Sequence, residues 1–126
     1  MIWLSHAMVE AFHRESLVHF GGGDGLRDAG LLASALARPQ NVYAYEPEAD
    51  VFRLAASYCH GIVKNHPFVD GNKRTGTLAA VAFLALNGVE LTFDEPEIAA
   101  VIIGVASGEI SEAELATWLR TGAVVA

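Results

Sequence analysis

The chain is short of several residue types, and each shortage removes a class of explanation. It has one cysteine among 126 residues, so no internal disulfide can form. That cysteine, Cys59, lies in an apolar helical stretch and reads as a core residue rather than a nucleophile. The longest unbroken apolar run, LAAVAFLAL at 78–86, is far short of the roughly 18 residues that a membrane span needs. The opening MIWLSHAMVEAF has no basic region and no cleavage-like site, so no signal peptide is expected and the expected location is cytoplasmic. The glycines at 21, 22, 23 and 25 fit neither G-x-G-x-x-G nor G-x-x-x-x-G-K-[ST]. His60 and His66 lack zinc-ligand spacing with a carboxylate or thiol. His6, His13 and His19 read as helix-surface or loop histidines. Lysine occurs only as Lys64 and Lys73, and the net charge of −7 argues against general nucleic-acid binding.

What is present is mostly apolar and mostly helical in period. The composition is 52% hydrophobic with a mean hydropathy of +0.33, and the length suits one domain over 1–126. Residues 5 to 20 predict a first helix, capped by Ser5, with Met8, Ala11, Phe12 and Leu17 on or near one face and Gly21 ending it. Asp28 caps a second helix with Leu31, Leu32, Ala35 and Leu36 inward, stopped by Pro39. PQNVYAYEP, bounded by prolines, predicts a short extended flap over 39–47. The third helix runs from about Asp50 to Lys64, with Val51, Leu54, Ala55, Tyr58 and Ile62 at helical spacing and Pro67 beyond it.

The fourth helix, from about Asn72 to Leu86, is apolar nearly all round after Thr77 and is expected to be the central buried helix. VELTF alternates as a short extended segment. Asp94 with Glu97 starts a fifth helix that ends near Gly108, and Ser111 with Glu114 forms the capping box of a sixth. The fold class is all-α.

One segment breaks the apolar pattern. HPFVDGNKRTG at 66–76 leads into the fourth helix, and Lys64, Lys73 and Arg74 against Asp70 give residues 60–77 a local charge of +2 in an acidic chain. The first N–H groups of a helix have no intrahelical partner and the dipole adds positive potential there. Gly71 lets a ligand approach the backbone, and the N–H groups of Gly71, Asn72, Lys73 and Arg74 lie near the helix start. Lys73 offers a point charge and Arg74 a bidentate fork for phosphate oxygens. Asp70 is a single carboxylate of the kind that holds Mg²⁺ beside substrate phosphates. Asn72 can contact phosphate or metal-bound water, and His66 can act as a base near neutral pH. Each residue also has a plainer reading: Asp70-Gly71 as a turn or cap, His66 as a helix end, Lys73 and Arg74 as a solvated first turn. Their convergence in nine positions favours an anion site.

HPFVDGNKR resembles the signature of the Fic/Doc family, H-x-F-x-[DE]-G-N-x-R. GLRDAGLLASALARPQ and SGEISEAELATWLR are similar to the death-on-curing (Doc) toxins of that family, so the resemblance covers nearly the whole chain. It implies an all-helical fold and transfer of part of a nucleoside triphosphate to a protein hydroxyl. Fic-type AMP transferases carry Gly in the place of Lys73 and a second Arg in the place of Thr77; Doc toxins share the Lys and lack that Arg. The implied activity is therefore a protein kinase using ATP and Mg²⁺, acting on a threonine of elongation factor Tu and stopping translation. Carried over by position, His66 is the base, Asp70 the Mg²⁺ ligand, and Gly71, Asn72, Lys73 and Arg74 the phosphate binders. Gly71 is the Fic-like residue, which keeps AMP transfer as the alternative, beside a non-catalytic nucleotide-binding module. No Glu is followed by Gly or Asn, so the family's inhibitory pattern [ST]-x-x-x-E-[GN] is absent. The resemblance implies restraint by a Phd-like antitoxin, whose tail folds as a helix into a groove.

Overall fold

The structure, a computed structural model, describes residues 1–125. Among the described residues it has six helices and a two-stranded ribbon. Helix α1 spans His6–Phe20 and starts at Ser5, whose hydroxyl accepts from the Met8 N–H at 3.2 Å. It stops at Gly21, which takes a positive φ of 73° and donates its N–H to Leu17 O. Its fully buried residues are Val9, His13 and Ser16; of the expected face, Met8, Phe12 and Leu17 are half-buried, Met8 and Phe12 against the core, and Ala11 is exposed.

Helix α2 runs over Ala29–Tyr45 from the Asp28 cap, so the expected flap is helical. Pro39 lies inside α2 and does not end it. A mid-helix proline loses one hydrogen bond and costs about 3 kcal/mol in isolation. Here its ring continues the buried stripe of Leu32, Ala35 and Leu36, and packing on that stripe outweighs the local preference.

Helix α3, Val51–Asn65, is the centre of the molecule. Leu54 through Cys59 and Gly61 through Val63 are all buried, and α2, α4 and α6 pack around it. The expected centre was α4, Asn72–Leu86, but α4 leaves Lys73, Arg74, Ala85 and Leu86 exposed. The reason is side-chain size. Ala55, Ala56, Ser57, Cys59 and Gly61 let neighbours close in on α3 from several sides at once, whereas hydropathy alone ranks α4 as the more apolar. A Cβ on Gly61 would sit 3.3 Å from both Cα and Cβ of Ala35 in α2.

Strand β1, Val89–Leu91, matches the expected extended segment and pairs antiparallel with β2, Ala123–Val125, in the register Val89↔Val125. Helices α5, Glu95–Ser107, and α6, Glu112–Thr121, begin at the expected caps. The Ser111–Glu114 capping box has both of its hydrogen bonds. Glu112, at the start of α6, meets Arg38, Arg53 and His60, tying α6 to α2 and α3. No helix among the described residues is long and apolar enough to cross a membrane.

The close contact of Gly61 with Ala35 makes a direct prediction. Gly61→Leu forces α2 away from α3 and is expected to cost about 1–3 kcal/mol of folding free energy, the usual range for overpacking. Urea denaturation should show a lower midpoint with an unchanged m-value.

Candidate active site

Pro67 cannot continue α3, and the chain turns at His66, which takes a left-handed conformation with φ 54° and ψ 52°. Among the described residues it is the only non-glycine with positive φ. The following residues are strapped to the segment before α2: Leu26 bridges Phe68, Val69 N–H donates to Gly25 O at 3.0 Å, and Arg27 N–H donates to Pro67 O at 2.7 Å.

The loop is closed from inside by Asn72. Its Oδ1 accepts from Phe68 N–H and its Nδ2 donates to Phe68 O, both at 3.0 Å, and the side chain is buried. Both ends of the amide are therefore engaged within the loop.

Gly71 caps α4 with φ 78° and makes no side-chain cap, so the first-turn N–H groups keep no capping side chain. A Cβ on Gly71 would lie 3.1 Å from Ser16 Oγ, so the position has both a conformational and a steric demand for glycine. Asp70 is exposed at the mouth of the loop, with Oδ1 accepting from Gly71 N–H at 2.8 Å.

Three residues outside the segment hold it, and none was expected to. His13 was assigned to the helix surface, yet it is 3% exposed and stacks flat on Phe68, centroids 3.9 Å apart. Its Nε2 lies 2.9 Å from Asp70 O, and because a carbonyl can only accept, Nε2 carries the proton. The sequence signal was present in principle: Val9, His13 and Ser16 share one helical face, but two of the three are polar and hydropathy skips them. Arg27 donates from Nε to His66 O at 2.7 Å and from a terminal nitrogen to Asn65 O at 2.9 Å, neutralising the C-terminal carbonyls of α3. Phe20 lies beneath Arg74, whose guanidinium carbon is 3.1 Å from the ring centroid.

All six residues singled out in the sequence line one cleft of about 580 Å³. His66, Asp70, Gly71, Asn72, Lys73 and Arg74 form its polar end, with Thr77 beside them. Phe20, Leu78, Ile98, Ala99, Ile102 and Ile103 from α1, α4 and α5 form an apolar wall that continues from it. Among the described residues no group of three His, Cys, Asp or Glu side chains is placed to hold a metal without help. A cation at Asp70 would complete its shell from phosphate and water, as Mg²⁺ commonly does. Cys59 lies outside the cleft, and burial pushes its thiol up to about 12, which fits a core residue.

His66, Asp70, Lys73 and Arg74 thus share one cleft with a helix start that has no capping side chain, on a helical scaffold. The chain belongs to the Fic/DOC family, whose model matches residues 3–84. It is 39% identical over 110 residues to a protein named protein kinase doc from Escherichia phage P1, covering 87% of this chain and 86% of that one. It is also 42% identical over 93 residues to one named toxin Doc from Mycolicibacterium smegmatis, covering 69% and 72%.

The reciprocal Asn72–Phe68 pair is open to test. Asn72→Ala leaves a buried N–H and a buried C=O without partners, each worth about 1–3 kcal/mol. The variant should unfold at clearly lower urea concentration than wild type, whereas an exposed phosphate ligand would leave the midpoint unchanged.

Proposed function

We propose that the protein is a Doc-type toxin that transfers the γ-phosphoryl group of ATP to a hydroxyl of a translation factor, with elongation factor Tu as the expected target, and so arrests translation in the cytoplasm. The observation that carries this reading is the pairing of Lys73 and Arg74 with an uncapped helix start in the cleft that also holds His66 and Asp70. The relative named as a protein kinase supports it, and so does the lysine at 73 with threonine at 77.

The chemistry follows from these residues. The N–H groups at the start of α4, with Lys73 and Arg74, hold the phosphates and offset the charge that builds up in the transition state. The Asp70 carboxylate is the group suited to hold Mg²⁺, which when bound supplies positive charge to the phosphate oxygens. His66 accepts the proton of the target hydroxyl. The hydroxyl oxygen forms a bond to the γ-phosphorus as the bond from that phosphorus to the bridging oxygen breaks. ADP leaves with the electron pair, and His66 later releases its proton to solvent.

The apolar wall formed by Phe20, Ile98, Ile102 and Ile103 suits the antitoxin expected from the resemblance, since an amphipathic helix can lay its apolar face there and block the polar end. AMP transfer is the second reading, favoured only by Gly71.

Incubation of the purified protein with elongation factor Tu and ATP labelled at the γ- or the α-phosphorus tests the assignment. Label is expected from the γ-position; label from α would replace it with AMP transfer, and none from either would favour a binding module. His66→Ala is expected to slow transfer about 10²- to 10⁴-fold while nucleotide still binds. Asp70→Asn should abolish transfer with little change in thermal stability, and Lys73→Ala should abolish γ-transfer. An Asp70→Asn variant of full activity would reduce Asp70 to a structural residue.

A further inference from the structure

We propose that Arg27 is a positioning residue that holds His66 in its left-handed conformation and so aims the imidazole into the cleft. The proposal rests on the reading of His66 as the base.

Two independent features meet at one point. His66 is the only non-glycine with positive φ among the described residues, and it is the residue to which the proton transfer is assigned. Backbone strain of this kind persists only where the surroundings over-determine it. The over-determining contact comes from Arg27. Its fork grips His66 O at 2.7 Å and Asn65 O at 2.9 Å, two carbonyls that helix α3 leaves unsatisfied at its end. Arg27 is itself fixed, because its own N–H donates to Pro67 O at 2.7 Å and its neighbour Leu26 bridges Phe68. The chain on both sides of the His66–Pro67 bond is thus clamped by one residue.

Arg27 is not placed to bind phosphate directly. Its donors face the two carbonyls, and it does not line the cleft. The phosphate-binding end is held by other contacts, the Asn72–Phe68 pair and the His13–Asp70 hydrogen bond. Loss of Arg27 should therefore disturb the base and spare the cradle. Lysine is a poor replacement, since a single ammonium lacks the planar fork that meets both carbonyls.

The experiment compares wild type, Arg27→Ala, Arg27→Lys, His66→Ala and the Arg27→Ala/His66→Ala double variant, with γ-labelled ATP and purified elongation factor Tu. Arg27→Ala is expected to lower kcat by about 10- to 100-fold, as small misplacements of a reacting group do. The KM for ATP should stay near wild type, and Arg27→Lys should recover little. The double variant should be no slower than His66→Ala alone, because a positioning residue has nothing left to position. Wild-type kcat in Arg27→Ala, or losses that multiply in the double variant, would overturn the proposal. In parallel, backbone NMR shifts of His66 should move away from left-handed values in Arg27→Ala; unchanged shifts would also overturn it. If the wild type transfers no label, the kinase reading has failed, and the shift measurement alone decides whether Arg27 sets the His66 backbone.

Discussion

The site depends on one side-chain amide. Asn72 belongs to the first turn of α4, yet it reaches back four residues and closes both hydrogen-bonding groups of Phe68. This fixes the loop between α3 and α4 without any contribution from a ligand. Once Phe68 is held, its ring fills the core against His13, Asp70 is left at the mouth, and Gly71 must turn left-handed to enter the helix. The first turn of α4, which has no capping side chain, then lines the cleft. The polar residues around it are arranged by an interaction internal to the protein.

Much of this was legible in the sequence because the site is nearly continuous. His66, Asp70, Gly71, Asn72, Lys73 and Arg74 occupy nine positions, and the helix that displays them has an unmistakable apolar body. Local chemistry was enough to gather them. It could not reveal Arg27 or Phe20, because each acts across a sequence gap of dozens of residues and looks alone like an ordinary surface residue. His13 was misjudged for the same reason, since its burial comes from stacking on Phe68, 55 positions further on. The role of Asn72 was only half readable: its place at the helix start was clear, but its partner was not.

The two fold errors have one cause. Pro39 was weighed by its local preference, and α4 by its hydropathy, while the structure is decided by which surfaces come close. Pro39 stays helical because its ring extends a stripe that faces α3. Helix α3 takes the centre because its small residues let three other helices approach it. Glycine 61 against Ala35 and Gly76 against Val63 and Cys59 are the points where that approach is tightest. Neither average apolarity nor turn propensity records how near two backbones can come.

The β1–β2 ribbon has a consequence for the order of assembly. Residues 123–125 pair with residues 89–91, and α6 packs on α3, which lies some fifty positions earlier. Until residues 112–125 are available to fold, the chain lacks both contacts. The cleft of a partly folded copy therefore sits on an unfinished core, and takes its final shape only once that stretch has joined α3 and β1. For a protein proposed to act against translation itself, this order of assembly delays the proposed activity until the fold is complete.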